Sequence, residues 1–263
     1  MKKRIIPCIF LKDGFIIRSE GFKIHQIIGN PVTEIARYSQ WSADEIIYID
    51  ISKENSIYDF KRSDHKYKDD LVQNKFQLIK EISKHCFSPL SFGGGIRTID
   101  EIGIILSNGA DKVILNTILF KDELFLQKAK NKFGSQALIA CVDYKEDGYV
   151  YHSGGEIKTE YKILEWCKIL EKKGIGEILI QSINRDGKGN GFDLINIDQI
   201  VKSSSVPIIC LGGAGDYFDF TECFEYANPS AVAAGNFFHF KEMSYYYCKE
   251  NLKLNNINIR LQD

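Results

Sequence analysis

Nowhere in the 263 residues does an apolar run approach the ~18 residues of a membrane span, so the sequence excludes a transmembrane helix. Neither sign of charge is in excess. With 34 Lys and Arg against 35 Asp and Glu the net charge is -1, so no global field draws the chain to nucleic acid or an anionic membrane. Any phosphate site must therefore be local. Paired cysteine spacing is also missing. Seven cysteines (Cys8, Cys86, Cys141, Cys167, Cys210, Cys223, Cys248) are scattered, mostly inside apolar runs, with no CxxC among them. They read as buried thiols of a cytoplasmic protein rather than a disulfide framework. The five histidines show no HxxxH or clustered spacing, so neither a metal nor another cofactor is expected. The apolar stretch of the N-terminus, Ile5–Cys8, is too short for a signal peptide, and charge returns at Lys12 and Asp13.

Present instead is a regular alternation. Eight short runs rich in Ile, Val and Leu occur at Arg4–Leu11, Glu45–Ile51, Pro89–Phe92, Lys112–Asn116, Ala137–Asp143, Glu177–Ser182, Pro207–Leu211 and Ala231–Gly235. Each has the pattern of a strand buried on both faces. Between them lie amphipathic helical stretches at 70–85, 98–108, 124–133, 161–173, 194–203 and 219–226. Two of these end in the stop signals Asn108-Gly109 and Lys173-Gly174. Eight strand–helix units in a chain of this length predict an α/β fold, a single (β/α)8 TIM barrel spanning residues 1–263. A doubly wound sheet is the rival.

An internal repeat supports the barrel. Asp44-Glu-Ile-Ile-Tyr-Ile-Asp50 resembles Gly176-Glu-Ile-Leu-Ile-Gln-Ser182, and Pro89-Leu-Ser-Phe-Gly-Gly-Gly95 resembles Pro207-Ile-Ile-Cys-Leu-Gly-Gly-Ala-Gly215. The copies lie about half the chain apart, which predicts two similar half-barrels, roughly 1–134 and 135–263, with no linker between them. The glycine loops 93–95 and 212–215 each follow a strand and precede a helix. There backbone N–H groups can converge on an anion, although a tight turn needing positive φ uses the same glycines. Two such loops at equivalent positions, with Asn116-Thr117 and Ala234-Gly235 at the next strand ends, predict a site for an elongated ligand with two phosphates.

At this point the residues resemble, over nearly the whole chain, the cyclase subunit family of imidazole glycerol phosphate synthase. The matching motifs include Arg4-Ile-Ile-Pro-Cys8, Lys12-Asp-Gly14, Gly93-Gly-Gly-Ile-Arg97, Gly109-Ala-Asp-Lys-Val113, Phe133-Gly-Ser-Gln136, Arg185-Asp-Gly187, Gly212-Gly-Ala-Gly215 and Phe237-Phe-His-Phe240. The resemblance implies a heterodimer with a HisH-type glutaminase docked on the N-terminal face, ammonia passing through the barrel, and two aspartates working at the C-terminal face. It assigns Arg18, Gly94, Gly95, Asn116, Thr117, Asp186, Gly187, Gly213, Ala234 and Gly235 to binding of a phosphorylated small molecule. Arg4, Glu45, Lys112 and Glu177 match the ammonia gate, and Asp111 matches a position facing the glutaminase.

The match fails at one catalytic position. Asp143, in Ala140-Cys-Val-Asp143, is present, but Phe10 stands where strand one should carry the partner aspartate. A phenyl ring transfers no proton, and each acid–base partner is worth roughly 10²–10⁴-fold. Asp13 falls by period in the following loop, and Asn184 replaces a further aspartate of the pattern. Pro7-Cys8 followed by apolar residues resembles a branch associated with amidation of N-acetyl sugars in surface polysaccharide synthesis, where a sugar amidotransferase is a further partner. Three functions stay open: a non-cyclising, ammonia-conducting subunit; an active cyclase (a lyase) of histidine biosynthesis; and a related phosphosugar isomerase, disfavoured by Phe10 and by the gate residues. Arg18–Asn30 reads as a lid loop, and Ser52–Lys68 as an exposed loop. The aromatic run from Tyr245 should spread its rings around a helix, and His239 reads as packing.

Overall fold

The computed structural model describes residues 2–53, 56, 58, 72–240 and 242–260. The eight apolar runs are the eight strands of a closed parallel barrel. In chain order they are Arg4–Lys12, Ile46–Asp50, Leu90–Gly93, Lys112–Leu115, Leu138–Tyr144, Glu177–Ser182, Ile208–Leu211 and Ala231–Ala234. Each pairs in parallel with the next, and the eighth closes on the first with Arg4 opposite Ala231. Helices between the strands complete the (β/α)8 TIM barrel.

Local chemistry sets the helix limits. Thr98 and Glu101 form a capping box at the start of Ile99–Ser107, and that helix ends at Asn108 with Gly109 beyond it at φ +108°. Gly174 closes Ile163–Lys173 in the left-handed region. Both predicted stop signals are therefore where the helices end. The 70–85 stretch becomes the helix Lys75–Ser83, capped by the Asn74 side chain; residues 70–71 lie outside the described residues.

Side chains alternate across every strand, and the two faces bury different cores. Outward residues such as Ile5, Ile9, Tyr48, Ile178 and Ile180 pack against the helices. Inward residues, among them Ile6, Cys8, Ile47, Ile114, Ile139 and Leu179, fill the barrel interior. The interior is thus an apolar column, ended by polar side chains above and below.

Two departures from the expected plan occur at equivalent places. The stretch 18–30 is an antiparallel hairpin, Phe15–Glu20 with Ile24–Gly29, rather than a loop. It continues the first strand beyond the barrel, with Phe10 opposite Ile17. A second hairpin, Tyr149–His152 with Ile157–Lys162, continues the fifth strand with Asp143 opposite Tyr151. The first and fifth strands of the barrel therefore each run on into a hairpin. Most of the predicted exposed loop 52–68, including Phe60 and Tyr67, lies outside the described residues. Its described Tyr58 is buried and donates a hydrogen bond to Asp50.

Candidate functional site at the two ends of the barrel

The first turn of four strands builds the floor. Inward alternation places Arg4, Lys112 and Glu177 at strand starts, with Glu45 one residue before the second strand. Arg4 Nη1 meets Glu45 Oε2 at 2.6 Å, and its Nη2 pairs with Glu177. Lys112 Nζ lies 2.7 Å from Glu177 Oε2 and 3.4 Å from Glu45 Oε1. Each cation thus bridges both carboxylates, giving a closed, charge-balanced square. Ser91 Oγ adds a hydrogen bond of 2.8 Å to Glu45 Oε1. Buried charges require such closure, because an unpaired one would cost several kcal/mol.

Beside the floor lies a clasp that pattern reading missed. Asp44 Oδ2 accepts from the Ile5 amide at 3.0 Å, while Lys249 Nζ donates to its Oδ1 at 2.7 Å. Tyr245 Oη accepts from the Asp44 amide and donates to the Ile5 carbonyl. These bonds fasten the helix Ser244–Leu254 to the neighbours of Arg4 and Glu45. Tyr245 is buried while Tyr246 and Tyr247 are exposed, so the aromatic run spreads around its helix as expected. Asp111, on the same face, accepts from the Leu90 amide at 2.8 Å.

At the mouth, Asp143 ends the inward column of the fifth strand. Asn116 Nδ2 donates to its Oδ2 at 2.9 Å and Cys141 Sγ to its Oδ1 at 3.1 Å. Burial pushes its carboxyl up to about 7, against those two hydrogen bonds and with a smaller upward push from Asp186. Such a group exchanges protons near neutrality. Across the barrel Phe10 is buried among interior apolar residues. Asp13 stands in the turn after the first strand at φ +51°, its amide bonded to Ser52 Oγ, which is where its period placed it. Asn184 Oδ1 accepts from the Glu146 amide at 3.0 Å. Cys8 and Cys141 are buried thiols pushed up by desolvation, as core thiols should be.

The residues assigned to phosphate binding fall into two settings. Gly94 and Gly213 sit at φ +111° and +114°, where a side chain would strike backbone: an added Cβ would lie 1.9 Å from the Asp50 carbonyl and 2.0 Å from the Gly191 carbonyl. Gly95 is at φ +58° with Lys75 Nζ donating to its carbonyl at 2.8 Å. Ala234 ends the eighth strand, and an added Cβ on Gly235 would lie 2.9 Å from the Cys8 carbonyl and 3.6 Å from the Phe10 ring. Thr117 Oγ1 accepts from the Ser153 amide at 3.1 Å, tying the second hairpin to the fourth strand.

Asp186 and Gly187 instead hold the first hairpin over the mouth. Asp186 Oδ2 accepts from Ser19 Oγ at 2.6 Å and from the Phe22 amide at 3.4 Å, and its carbonyl accepts from the Gly21 amide. Burial raises the Asp186 carboxyl, opposed by those side-chain and backbone bonds. Gly187 leaves no room for a Cβ beside the Ser19 carbonyl. Arg18, on the same hairpin, pairs with Glu20 at 3.4 Å and lies 5.9 Å from the Phe240 ring centre.

Two further findings lay outside the sequence reading. His239 does more than pack: its Nδ1 lies 3.2 Å from Glu34 Oε1 and 3.4 Å from Tyr38 Oη. Burial opposes ionisation of Glu34, yet His239 and Arg37 hold its carboxyl below the usual range. A pocket of about 320 Å³ opens between these residues, the first hairpin and Phe240. No group of three or more His, Cys, Asp or Glu with metal-binding geometry occurs among the described residues. No helix among them is long and apolar enough to cross a membrane.

The chain is similar to known proteins over nearly its whole length. A family model described as "Histidine biosynthesis protein" matches residues 4–244. The imidazole glycerol phosphate synthase subunit HisF of Hydrogenobaculum sp. (strain Y04AAS1) is 36% identical over 269 residues, covering 99% of this chain and 100% of that one. The HisF subunit of Campylobacter concisus is 38% identical over 262 residues, covering 98% of each chain. That of Staphylococcus saprophyticus is 36% identical over 265 residues, covering 99% of this chain and all of its own. With the barrel and these full-length similarities in hand, the chain belongs to the histidine biosynthesis protein family and is a HisF-type barrel.

Proposed function

We propose that this barrel is the ammonia-accepting subunit of a glutamine amidotransferase pair, with its own cyclisation chemistry disabled. A HisH-type glutaminase docks on the N-terminal face beside Asp111. Ammonia enters through Arg4, Glu45, Lys112 and Glu177 and travels up the apolar interior to Asp143. The square of two cations and two carboxylates has no surplus negative charge to retain ammonium, and the apolar column favours the neutral molecule. The observation that carries this reading is the pairing of an intact floor with Phe10 at the mouth, where acid–base work needs a second carboxylate.

The mouth still offers places for a phosphorylated small molecule at Gly94, Gly95, Asn116, Thr117, Gly213, Ala234 and Gly235, with Arg18, Asp186 and Gly187 at its rim. A finer reading, amidation of an N-acetyl sugar in surface glycan synthesis with a sugar amidotransferase as third component, rests on the apolar residues after Pro7-Cys8. The second reading is an active imidazole glycerol phosphate synthase cyclase in histidine biosynthesis. It is favoured by the full-length identity to subunits bearing that name and by Asp143, whose carboxyl is set near neutrality.

The deciding experiment measures imidazole glycerol phosphate formation from its ribonucleotide precursor with ammonium salt, for wild type beside Phe10→Asp. No turnover by wild type, with activity appearing in Phe10→Asp, is the expected result. Robust wild-type turnover refutes the proposal and establishes the second reading.

A further inference from the structure

The barrel interior is apolar along its length except at its two ends, and the upper end is not closed on itself. Glu177, Leu179 and Gln181 alternate inward on the sixth strand, so Gln181 shares the face that carries the floor carboxylate and the apolar column. Its register partner on the fifth strand is Asp143. Gln181 is 1% exposed, yet its Nε2 has no hydrogen-bond partner among the described residues. On the other flank of Asp143, Asn116 spends its Nδ2 on the carboxylate, and its buried Oδ1 has no partner among the described residues either. A donor and an acceptor are thus left over on the two sides of one carboxylate, at the head of the apolar column. Burying such groups unpaired costs about 1–3 kcal/mol each, so the pair calls for a small ligand.

The polarity of the two atoms limits what that ligand is. Gln181 Nε2 needs a lone pair, which ammonium lacks. Asn116 Oδ1 and the ionised Asp143 need N–H or O–H donors, which an anion lacks. A neutral molecule with a lone pair and at least two hydrogens, ammonia or water, satisfies all three at once, and of these two ammonia is the one that the proposed function brings up the apolar interior.

We propose that Gln181, Asn116 and Asp143 form a binding site for one neutral ammonia molecule at the mouth end of the barrel interior. Gln181 Nε2 donates to the nitrogen lone pair, while Asn116 Oδ1 and an Asp143 oxygen accept two of its N–H groups. The site holds ammonia with its remaining hydrogen free and its lone pair occupied, so Gln181 must release it before the nitrogen can attack. Gln181 is accordingly a positioning residue that restrains the nucleophile until an acceptor arrives. This rests on the ammonia-accepting reading above, and the test is chosen to fail separately from it.

The test is a side-chain amide NMR titration of the isolated, [15N]glutamine-labelled chain with ammonium chloride. Ionic strength is held with tetramethylammonium chloride, and Gln181→Met assigns the Gln181 resonance. The titration is run at two alkaline pH values, both above the range in which Asp143 titrates. The expected result is a saturable shift of the Gln181 resonance whose midpoint coincides at the two pH values when plotted against free ammonia. Asn116→Ala should raise that midpoint roughly fivefold, the worth of one hydrogen bond. A midpoint that instead coincides against total ammonium overturns the proposal in favour of a cation site. No ammonia-dependent shift in wild type also overturns it, leaving water as the ligand, and neither outcome depends on the variant folding. Coupling of glutamine hydrolysis to the barrel is measured separately with the glutaminase present. Its loss would refute the ammonia-accepting reading without altering the free-ammonia titration.

Discussion

Removing Lys112 tests whether the floor is held by charge balance. Lys112→Met deletes one cation from a square of two cations and two carboxylates, leaving Glu45 and Glu177 to share Arg4. A fully buried pair broken this way costs about 3–5 kcal/mol. Lys112 is about a quarter exposed and Arg4 keeps both carboxylates, so solvent and the surviving cation reduce the loss to roughly 2–3 kcal/mol. Adding Glu177→Gln restores neutrality, because Arg4 then faces Glu45 as its single ionised partner. The double variant should be more stable than the sum of the two single losses by about 1–3 kcal/mol. Urea unfolding of the four proteins, followed by far-UV circular dichroism, measures the cycle. Additive losses, or a Lys112→Met variant as stable as wild type, would refute the charge-balance argument. In the glutaminase complex the same lysine variant should leak ammonia and uncouple glutamine hydrolysis from downstream amidation.

Asp143 predicts a pH signature. Its folded carboxyl is raised from 3.8 to about 7, so the folded state binds more protons than the unfolded one between those values, and stability falls across that window as pH rises. Asp143→Asn should therefore gain roughly 2–4 kcal/mol over wild type above about pH 7 and nothing below about pH 4, by denaturant titration at each pH. The two glycines of the third loop should respond unequally to alanine. Gly94→Ala drives a Cβ into the Asp50 carbonyl and should cost more than about 4 kcal/mol or prevent folding. Gly95→Ala meets only the end of Lys75, with nothing closer than 3.5 Å, and should cost about 1 kcal/mol in a thermal melt. Asp186→Ala should loosen the first hairpin, read as faster amide exchange at Phe22, with the barrel strands unchanged.

The barrel strands could be read from sequence because a strand covered on both faces is apolar at nearly every position between its ends, a pattern that the hairpins lack. Ile24–Gly29 has no buried residue and Ile157–Lys162 alternates lysines and a glutamate with Ile, Thr and Tyr, so both look like loop or helix leads to a reader seeking buried runs. At the site, the family resemblance pointed to the floor charges, which begin the apolar runs, and to Asp143, which ends one. Gln181 was not, since a polar residue near a strand end carries no mark of having unpaired atoms. Nor was the Glu34–His239 contact, which joins residues 205 positions apart through packing alone. The same holds for Asp186, whose place in Arg185-Asp-Gly187 points to ligand binding while its carboxylate fastens a hairpin.

The first strand carries Arg4 at the floor and Phe10 at the mouth on one face, with Ile6 and Cys8 between them. Because the period is two, a substitution at one inward position leaves the others facing inward. On the function proposed above, conduit and catalytic end are therefore separable traits written along a single extended segment. On that reading, one codon change can silence the upper end while the lower end keeps the residues that receive nitrogen from a partner.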